Sequence, residues 1–315
     1  MSGDEMSMEM GPAISADGLT DDPRARETGT GDVGSTPWRR VFRRFAHTYS
    51  AMFGLGIVVL LVGTALFATT LAPFGQEPAF TAKLGPGSGH WLGTNTVGQD
   101  LLTRLIYGAQ ASMFVAFLVV SIAVSVALVL GLVSGYFGGW VGATIDRCMD
   151  ALFTFPPLTL ALAIAALLGA SLTNASIAIA VVFVPGLVRV IRSQVLSIRE
   201  ETFIEAARSV GVGESRMLRK HVFPNVVSPV IVQSALAFGY AIGAEAGLSF
   251  LGLGVKPPTS SWGAMVEEGY GRITETQWPL VPPAVAILLA ILAFNLVGDG
   301  LRDAFGRETI AVEGP

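Results

Sequence analysis

Charged side chains are scarce in this sequence. Asp, Glu, Lys and Arg make up 14% of its 315 residues, whereas 51% of the residues are apolar. A soluble domain carries about 25% charged residues, so the composition indicates that much of the chain has lipid as its solvent. Cysteine occurs once, at Cys148, and one cysteine excludes an internal disulfide. We expect Cys148 to be a small packed residue near a membrane face.

Motifs for hydrolytic chemistry are also missing. A P-loop requires Gly-Lys ahead of Ser or Thr, because the lysine reaches the nucleotide phosphates. The three lysines follow Ala82, Arg219 and Val255 instead. The three histidines form no H-E-x-x-H pair that could hold zinc. The chain is therefore not expected to be an enzyme, and no metal site or nucleotide cofactor is expected within it.

Long apolar runs are what the sequence does contain. A membrane-spanning helix needs about 20 mostly apolar residues. We predict an all-α polytopic membrane protein with six transmembrane helices. The predicted spans are Met52–Pro73, residues 112–134, two short spans within 151–188, Val226–Phe250 and Pro279–Gly298.

The uncharged stretch 151–188 is predicted to form a hairpin. As a single helix it would extend about 57 Å at ~1.5 Å per residue, nearly twice the hydrocarbon thickness. The sequence SLTN at residues 171–174 offers a turn in its middle.

Basic residues indicate the orientation. With six spans, the termini and the loops after the second and fourth spans share one side, and these segments hold 16 of the 20 Lys and Arg. Basic residues favour the cytoplasmic side of a membrane. We therefore expect a multi-pass protein of a bacterial plasma membrane (the cell inner membrane) with both termini in the cytoplasm.

The ends of the chain differ in composition from the spans. Residues 1–36 are acidic, lack hydrophobic periodicity and are predicted to be a disordered cytoplasmic tail. Residues 37–51 form a basic juxtamembrane segment, residues 52–306 the transmembrane domain, and residues 307–315 a cytoplasmic C-terminal tail.

A polar, basic segment interrupts the apolar runs at residues 195–225. Thr202–Val210 is compatible with a helix that Gly211 could end in the left-handed conformation. A second short helix is predicted at Glu214–His221, and Pro224 is expected to interrupt the helix before the fifth span. Such a knob is suited to docking in a groove on another protein, but an ordinary basic loop that holds the topology fits the composition equally well.

The residues of this segment resemble a known family. Glu205, Ala206, Ala207, then Gly211, then HVFPN with His221 and Pro224 are similar to the EAA loop of ABC importer permeases, although many members have Ile where this chain has His221. The stretches HWLGTNTVGQDLLTRLIYGAQAS, GLSFLGLGVKPPTSSWGAM and NLVGDGLRDAF resemble, in order, the second membrane subunit of dipeptide, oligopeptide or nickel importers. The tail at 1–36 lies outside the resemblance.

The resemblance implies a type I ABC permease fold and half of a translocation pore. The six residues named from the EAA loop would couple the chain to an ATPase, and ATP and Mg²⁺ would be bound by partner subunits. The implied partners are a homologous permease subunit, two ATP-binding subunits and an extracytoplasmic substrate-binding protein. Membrane lipid is the expected surrounding, and nucleic acid is not an expected partner.

Three residues are candidates for the pore or a gate. Glu245 is the only acid well inside a predicted span, and such a carboxylate is costly unless it faces protein or water; a hydrogen-bonded structural role is its alternative. The alternative for Asn295 is a hydrogen bond between helices, and the alternative for Trp262 is an interfacial anchor. A stripe of small residues recurs every four positions at Gly131, Gly135 and Gly139. It is suited to close helix packing or to a surface on which helices slide during gating.

Two other classes remain open on the residues alone. An ion-driven secondary transporter would favour repeated halves and paired ionisable groups at the membrane midplane, and the chain shows no clear repeat. A structural membrane protein would carry no ATP-dependent flux. Among substrates, di- or oligopeptides are expected, with nickel, haem and glutathione as alternatives.

Overall fold

The computed structural model describes residues 37–77, 80–87, 89–255 and 259–310. The chain divides into two compact units, residues 1–40 and residues 41–315. Of the first unit only the beginning of a helix is described, so the predicted disorder of residues 1–36 lies outside the described residues. The second unit contains the transmembrane domain.

The described chain is helical, with isolated β-bridges and no β-strand in those ranges. The α-helices are α1 (Pro37–His47), α2 (Tyr49–Leu66), α3 (Ala68–Leu71), α4 (Leu101–Phe137), α5 (Gly139–Phe153), α6 (Pro157–Leu168), α7 (Leu172–Arg199), α8 (Thr202–Ser209), α9 (Glu214–Met217), α10 (Phe223–Phe250), α11 (Trp262–Tyr270) and α12 (Val281–Ile310). A π-helical turn, Leu218–Val222, joins α9 to α10, and a 3₁₀ turn, Trp278–Leu280, precedes α12. The all-α prediction is confirmed.

Five of these helical stretches are long and apolar enough to cross a membrane. They are Tyr49–Leu66, Leu101–Phe137, Leu172–Arg199, Glu214–Phe250 and Trp278–Gly306. A sixth span results if α5 and α6, which meet at a bend of 90°, are counted as one broken span. The chain is therefore a multi-pass membrane protein of five or six spans.

The third and fourth predicted spans differ from the observed helices. The turn is at the predicted place, because α7 begins at Leu172 and Ser171 accepts a hydrogen bond from the amide of Asn174 (3.1 Å). However, α6 has only 12 residues, or about 18 Å, against a hydrocarbon core of about 30 Å. The adjacent prolines 156 and 157 start α6 and bend it away from α5, because neither proline can donate a helical hydrogen bond.

Glycines set the close helix contacts in the bundle. A Cβ on Gly131 of α4 would lie 2.7 Å from the Cβ of Ile191, and a Cβ on Gly135 would lie 2.8 Å from the Cβ of Val195, both on α7. Gly139, the third glycine of the predicted stripe, has no neighbouring atom within 4 Å of its Cβ position. The stripe therefore packs α4 against α7 through two of its three members.

Helix α12 packs between α2 and α10 in the same way. A Cβ on Gly54 of α2 would lie 2.8 Å from the carbonyl oxygen of Ala293, and one on Gly298 would lie 2.6 Å from Leu236. The rings of Phe238 and Phe294 stack with their centroids 5.0 Å apart. Helix α12 runs to Ile310, beyond the predicted end of its span at Gly298.

Candidate functional site

The segment between α7 and α10 folds as a helix, a glycine turn and a second helix. Helix α8 ends at Ser209, as predicted to within one residue, and Gly211 has the left-handed φ of +79°. The expected interruption at Pro224 is wrong, because the backbone stays helical from Glu214 to Phe250. A π-helical turn, Leu218–Val222, directly precedes α10. In a regular α-helix the ring of Pro224 would clash with a carbonyl of the preceding turn, and the wider π-helical turn relieves this clash.

Buried apolar side chains anchor this coupling segment (residues 202–222) to the helix bundle. Ile204, Met217 and Val222 are fully buried in the main hydrophobic cluster. On the opposite side, Glu205 and Ala206 are exposed. The segment is thus attached to the bundle by its buried apolar side chains, and its other side faces solvent.

The remaining coupling candidates lie along the same segment. Gly211 and Pro224 are exposed, and Ala207 and His221 are half-buried. The ring of His221 lies 6.5 Å from that of Phe203, centroid to centroid. The structure thus places all six predicted coupling residues on or directly beside one protruding segment.

Two exposed apolar side chains on this segment were not singled out from the sequence. Val210 is 81% exposed and Phe203 is 42% exposed. Apolar and aromatic groups are enriched at the buried centre of protein interfaces. Apolar residues occur at several positions of this segment, so the sequence alone does not separate these two exposed ones from the buried Ile204, Met217 and Val222.

Acidic residues of α5 form ion pairs with the C-terminal half of α7. Asp146 pairs with Arg192 at 3.0 Å and accepts a hydrogen bond from Ser134 at 3.1 Å. Asp150 pairs with Arg189 at 3.0 Å, and that guanidinium lies 4.5 Å from the ring centroid of Phe153. The side chain of Cys148, on the same helix, is exposed, so the expectation of a packed cysteine is wrong; α5 turns this position outward from the bundle.

A buried polar cluster joins α4, α10 and α11 at the other end of the bundle. The carboxylate of Glu245, which is 1% exposed, accepts hydrogen bonds from Ser249 (2.6 Å) and Ser112 (3.2 Å). Ser112 also accepts a hydrogen bond from the backbone amide of Trp262 at 3.3 Å, and Ser261 donates to Ser249 at 3.4 Å. This geometry matches the structural alternative for Glu245, and its role in a pore or gate stays a prediction.

The structure brings Glu245 and Trp262 together but leaves Asn295 apart. The buried indole of Trp262 donates to the carbonyl of Leu105 at 3.0 Å and packs against Gly108, which has no side chain to exclude it. Asn295 is half-buried on α12 and forms no side-chain hydrogen bond with any residue that the structure describes. The serines that connect the first two residues were not identified from the sequence, because isolated serines in apolar helices carry no periodic signal.

Polar contacts also tie the segment before α4 to the segment around α11. Buried Arg104 donates to Ser260 at 2.9 Å and pairs with Glu268. Lys83 pairs with Glu275 at 2.8 Å, and the Lys83 ammonium holds the pKa of the Glu275 carboxyl below its usual value. Lys83, Glu268 and Glu275 border a cavity of about 160 Å³. Among the described residues, no three His, Cys, Asp or Glu side chains are grouped to hold a metal ion.

Two protein families match parts of this chain. Residues 127–310 match the family described as binding-protein-dependent transport system inner membrane component. Residues 36–86 match the N-terminal transmembrane domain of oligopeptide transport permease C. Together the two matches cover both ends of the described chain.

Curated relatives and a solved structure agree with those matches. The dipeptide transport system permease protein of Alkalihalophilus pseudofirmus is 40% identical over 271 residues, which cover 85% of this chain and 89% of that protein. The glutathione transport system permease protein of Shigella flexneri is 42% identical over 272 residues, which cover 85% and 90%. The inward-facing MetNI methionine ABC transporter has the same fold, with a TM-score of 0.54 at 17% identity over 65% of this chain and 96% of that chain. The chain therefore belongs to the inner-membrane permeases of binding-protein-dependent ABC importers and has the type I permease fold, in the branch that contains the dipeptide and oligopeptide permease subunits.

Proposed function

We propose that this permease forms half of the pore of an importer for di- or oligopeptides in a bacterial plasma membrane, with both termini in the cytoplasm. The relatives of about 40% identity carry the proposal: one is named for dipeptide transport and one for glutathione transport. Glutathione is itself a tripeptide, so both names indicate short peptides as the substrate class. Nickel and haem have no such support.

The energy for transport comes from ATP bound, with Mg²⁺, by two partner subunits. This chain has no Gly-Lys dipeptide for a P-loop, so the motor is a separate polypeptide. The coupling segment is the surface that such a subunit would contact, because one side of it is exposed. On its other side Ile204, Met217 and Val222 attach it to the bundle. A homologous permease completes the pore, and a substrate-binding protein delivers the peptide from outside.

Transport by alternating access requires that the helix bundles switch between an inward-open and an outward-open arrangement. ATP draws the two motor subunits together, and each coupling segment moves with the subunit that grips it. A ligand or motor can shift such an equilibrium only by interacting differently with its two states. ATP binding would favour the outward-open arrangement, and hydrolysis would restore the inward-open one.

Reconstitution of the purified complex tests this proposal. The chain is expressed with a second permease, ATP-binding subunits and a binding protein from the same organism, purified by a tag on the permease and placed in proteoliposomes. We expect an ATPase subunit to co-purify and labelled dipeptide or glutathione to enter only with ATP. Flux driven by an ion gradient without ATP would support a secondary transporter instead, and uptake of Ni²⁺ or haem alone would overturn the peptide assignment.

A further inference from the structure

A tyrosine at the end of α4 contacts the coupling segment directly. Tyr136 is the penultimate residue of α4 and only 5% exposed, and its hydroxyl donates a hydrogen bond to the carboxylate of Glu214, the first residue of α9. The hydroxyl of Tyr136 therefore contacts the second short helix of the coupling segment.

The ring of Tyr136 is held from the other side by α7. The guanidinium of Arg199 lies 5.9 Å from the ring centroid and donates a hydrogen bond to the carbonyl of Gly135 at 2.9 Å. This second contact fixes the direction in which the hydroxyl points. A contact between Tyr136 and Glu214 joins positions 78 residues apart in the chain, so it is a tertiary contact and not part of a local turn.

Helix α4 can carry a displacement of this contact into the bundle. Gly131 and Gly135 bring α4 and α7 into backbone contact over the last two turns before Tyr136. Close-packed interiors transmit displacement because they deform little. At its opposite end the same α4 supplies Ser112, which contacts Glu245 and Trp262.

We infer that Tyr136 is a positioning residue that transmits movement of the coupling segment to α4 through its hydrogen bond with Glu214. The inference rests on the proposed function, since it concerns how ATP-driven movement reaches the pore. Neither residue would touch substrate or ATP. Their loss would uncouple ATP hydrolysis from transport without preventing assembly.

The test uses variants of the full complex in proteoliposomes. Tyr136→Phe removes the hydroxyl and keeps the ring beside Arg199, whereas Glu214→Ala removes the acceptor of the hydrogen bond at an exposed position. The matched controls are Tyr49→Phe, at a tyrosine that is 93% exposed, and Asp303→Ala, at an exposed acid on α12. The probe is labelled dialanine or glutathione, whichever the unaltered complex imports, and the readout is the number of peptides imported per ATP hydrolysed.

We expect this ratio to fall about fivefold or more in Tyr136→Phe and in Glu214→Ala, the lower end of coupling between two sites. The double variant should lose no more than the worse single variant, because both remove one contact. Co-purification of the ATPase subunit should stay unchanged in all variants, and the controls should keep the original ratio. Tyr136→Phe should melt at a slightly lower temperature, because it loses a buried hydrogen bond.

Two results would overturn the inference. One is an unchanged ratio in both single variants within a complex that imports peptide. The other is a double variant whose loss is the product of the two single losses, which would show that the residues act independently. Failure of the proposed function gives a different result: the unaltered complex would contain no ATPase subunit or would import no peptide with ATP. In that case the inference about Tyr136 would be wrong as well.

Discussion

At the residue scale, neighbouring positions of the coupling segment differ in burial: one side chain packs into the bundle and the next faces solvent. Ile204 is buried and Glu205, the next residue, is exposed. A 100° step between successive helix positions produces this separation. Changes at exposed positions should therefore affect the partner and not the fold.

Glu205→Lys should reduce peptide uptake about tenfold, within the range of coupling between two sites. The substitution reverses the charge on the exposed side of α8 and leaves buried Ile204 in place. Uptake into cells is compared with the amount of permease in the membrane, which should be unchanged. Asp303→Lys, at an exposed acid on α12 outside this segment, is the control. Full transport by Glu205→Lys at normal expression would remove Glu205 from the coupling role.

Ser112→Ala should destabilise the cluster around Glu245. The hydroxyl of Ser112 donates to Glu245 and accepts from the amide of Trp262, and an unsatisfied buried polar group costs about 1–3 kcal/mol. We expect a lower melting temperature in detergent. In the control Ser234→Ala the lost hydroxyl bonds only a carbonyl of its own helix, Val230, at 2.7 Å, so its melting temperature should change little. Equal melting of Ser112→Ala and the original protein would contradict the importance of this cluster.

At the element scale, α4 and α7 approach each other closely through Gly131 and Gly135. In lipid, apolar surface gives helices little reason to associate, so close backbone approach and dispersion contacts replace the hydrophobic effect. Helix α7 is also the most buried of the candidate spans. The contact between α4 and α7 should therefore contribute strongly to the stability of the bundle.

Gly131→Ala should destabilise the protein by about 1–3 kcal/mol, the usual cost of overpacking. The new methyl group would lie 2.7 Å from the Cβ of Ile191, so the helices would have to separate. Gly63→Ala in α2 is the matched control, because nothing lies within 4 Å of its Cβ position. Alanine there should raise helix stability by roughly 0.5–1 kcal/mol. Thermal unfolding in detergent measures both, and a shift of the same sign for the two variants would count against the packing role.

At the scale of the whole molecule, orientation in the membrane decides whether the coupling segment can meet an ATPase. The excess of basic residues on one side predicts a cytoplasmic position for this segment. The natural cysteine provides a probe, because Cys148 is exposed on α5, in the loop region after the second predicted span.

A membrane-impermeant maleimide should label Cys148 only after the cells are permeabilised. The control is Lys83→Cys in a Cys148→Ser background, because Lys83 is more than half exposed and predicted to face outside. That variant should be labelled in intact cells. The reverse pattern would place the coupling segment on the outer side and exclude ATP-driven coupling through it.

Much of the fold followed from the sequence because its signals are local. Scarce charge indicated lipid as the solvent, apolar runs located the long helices, and Gly211 located the turn in the coupling segment. The adjacent prolines Pro156 and Pro157 predict a kink at the start of the third span, and the 90° bend between α5 and α6 confirms it. The continuous helix through Pro224 was not predicted correctly, because the backbone accommodates that proline by a π-helical turn.

The sequence by itself determined the solvent, the family and the segment that protrudes from the bundle, since composition, run length and the Glu205–Gly211 pattern can be read without knowing which helices touch. Only the tertiary structure decided which polar groups meet: Ser112 with Glu245 and Trp262, and Tyr136 with Glu214. Those partners are 78 to 150 residues apart along the chain, and their meeting depends on glycine-set distances between helices. Hydropathy is a property of neighbouring residues, whereas a hydrogen bond across a bundle requires the bundle to be assembled.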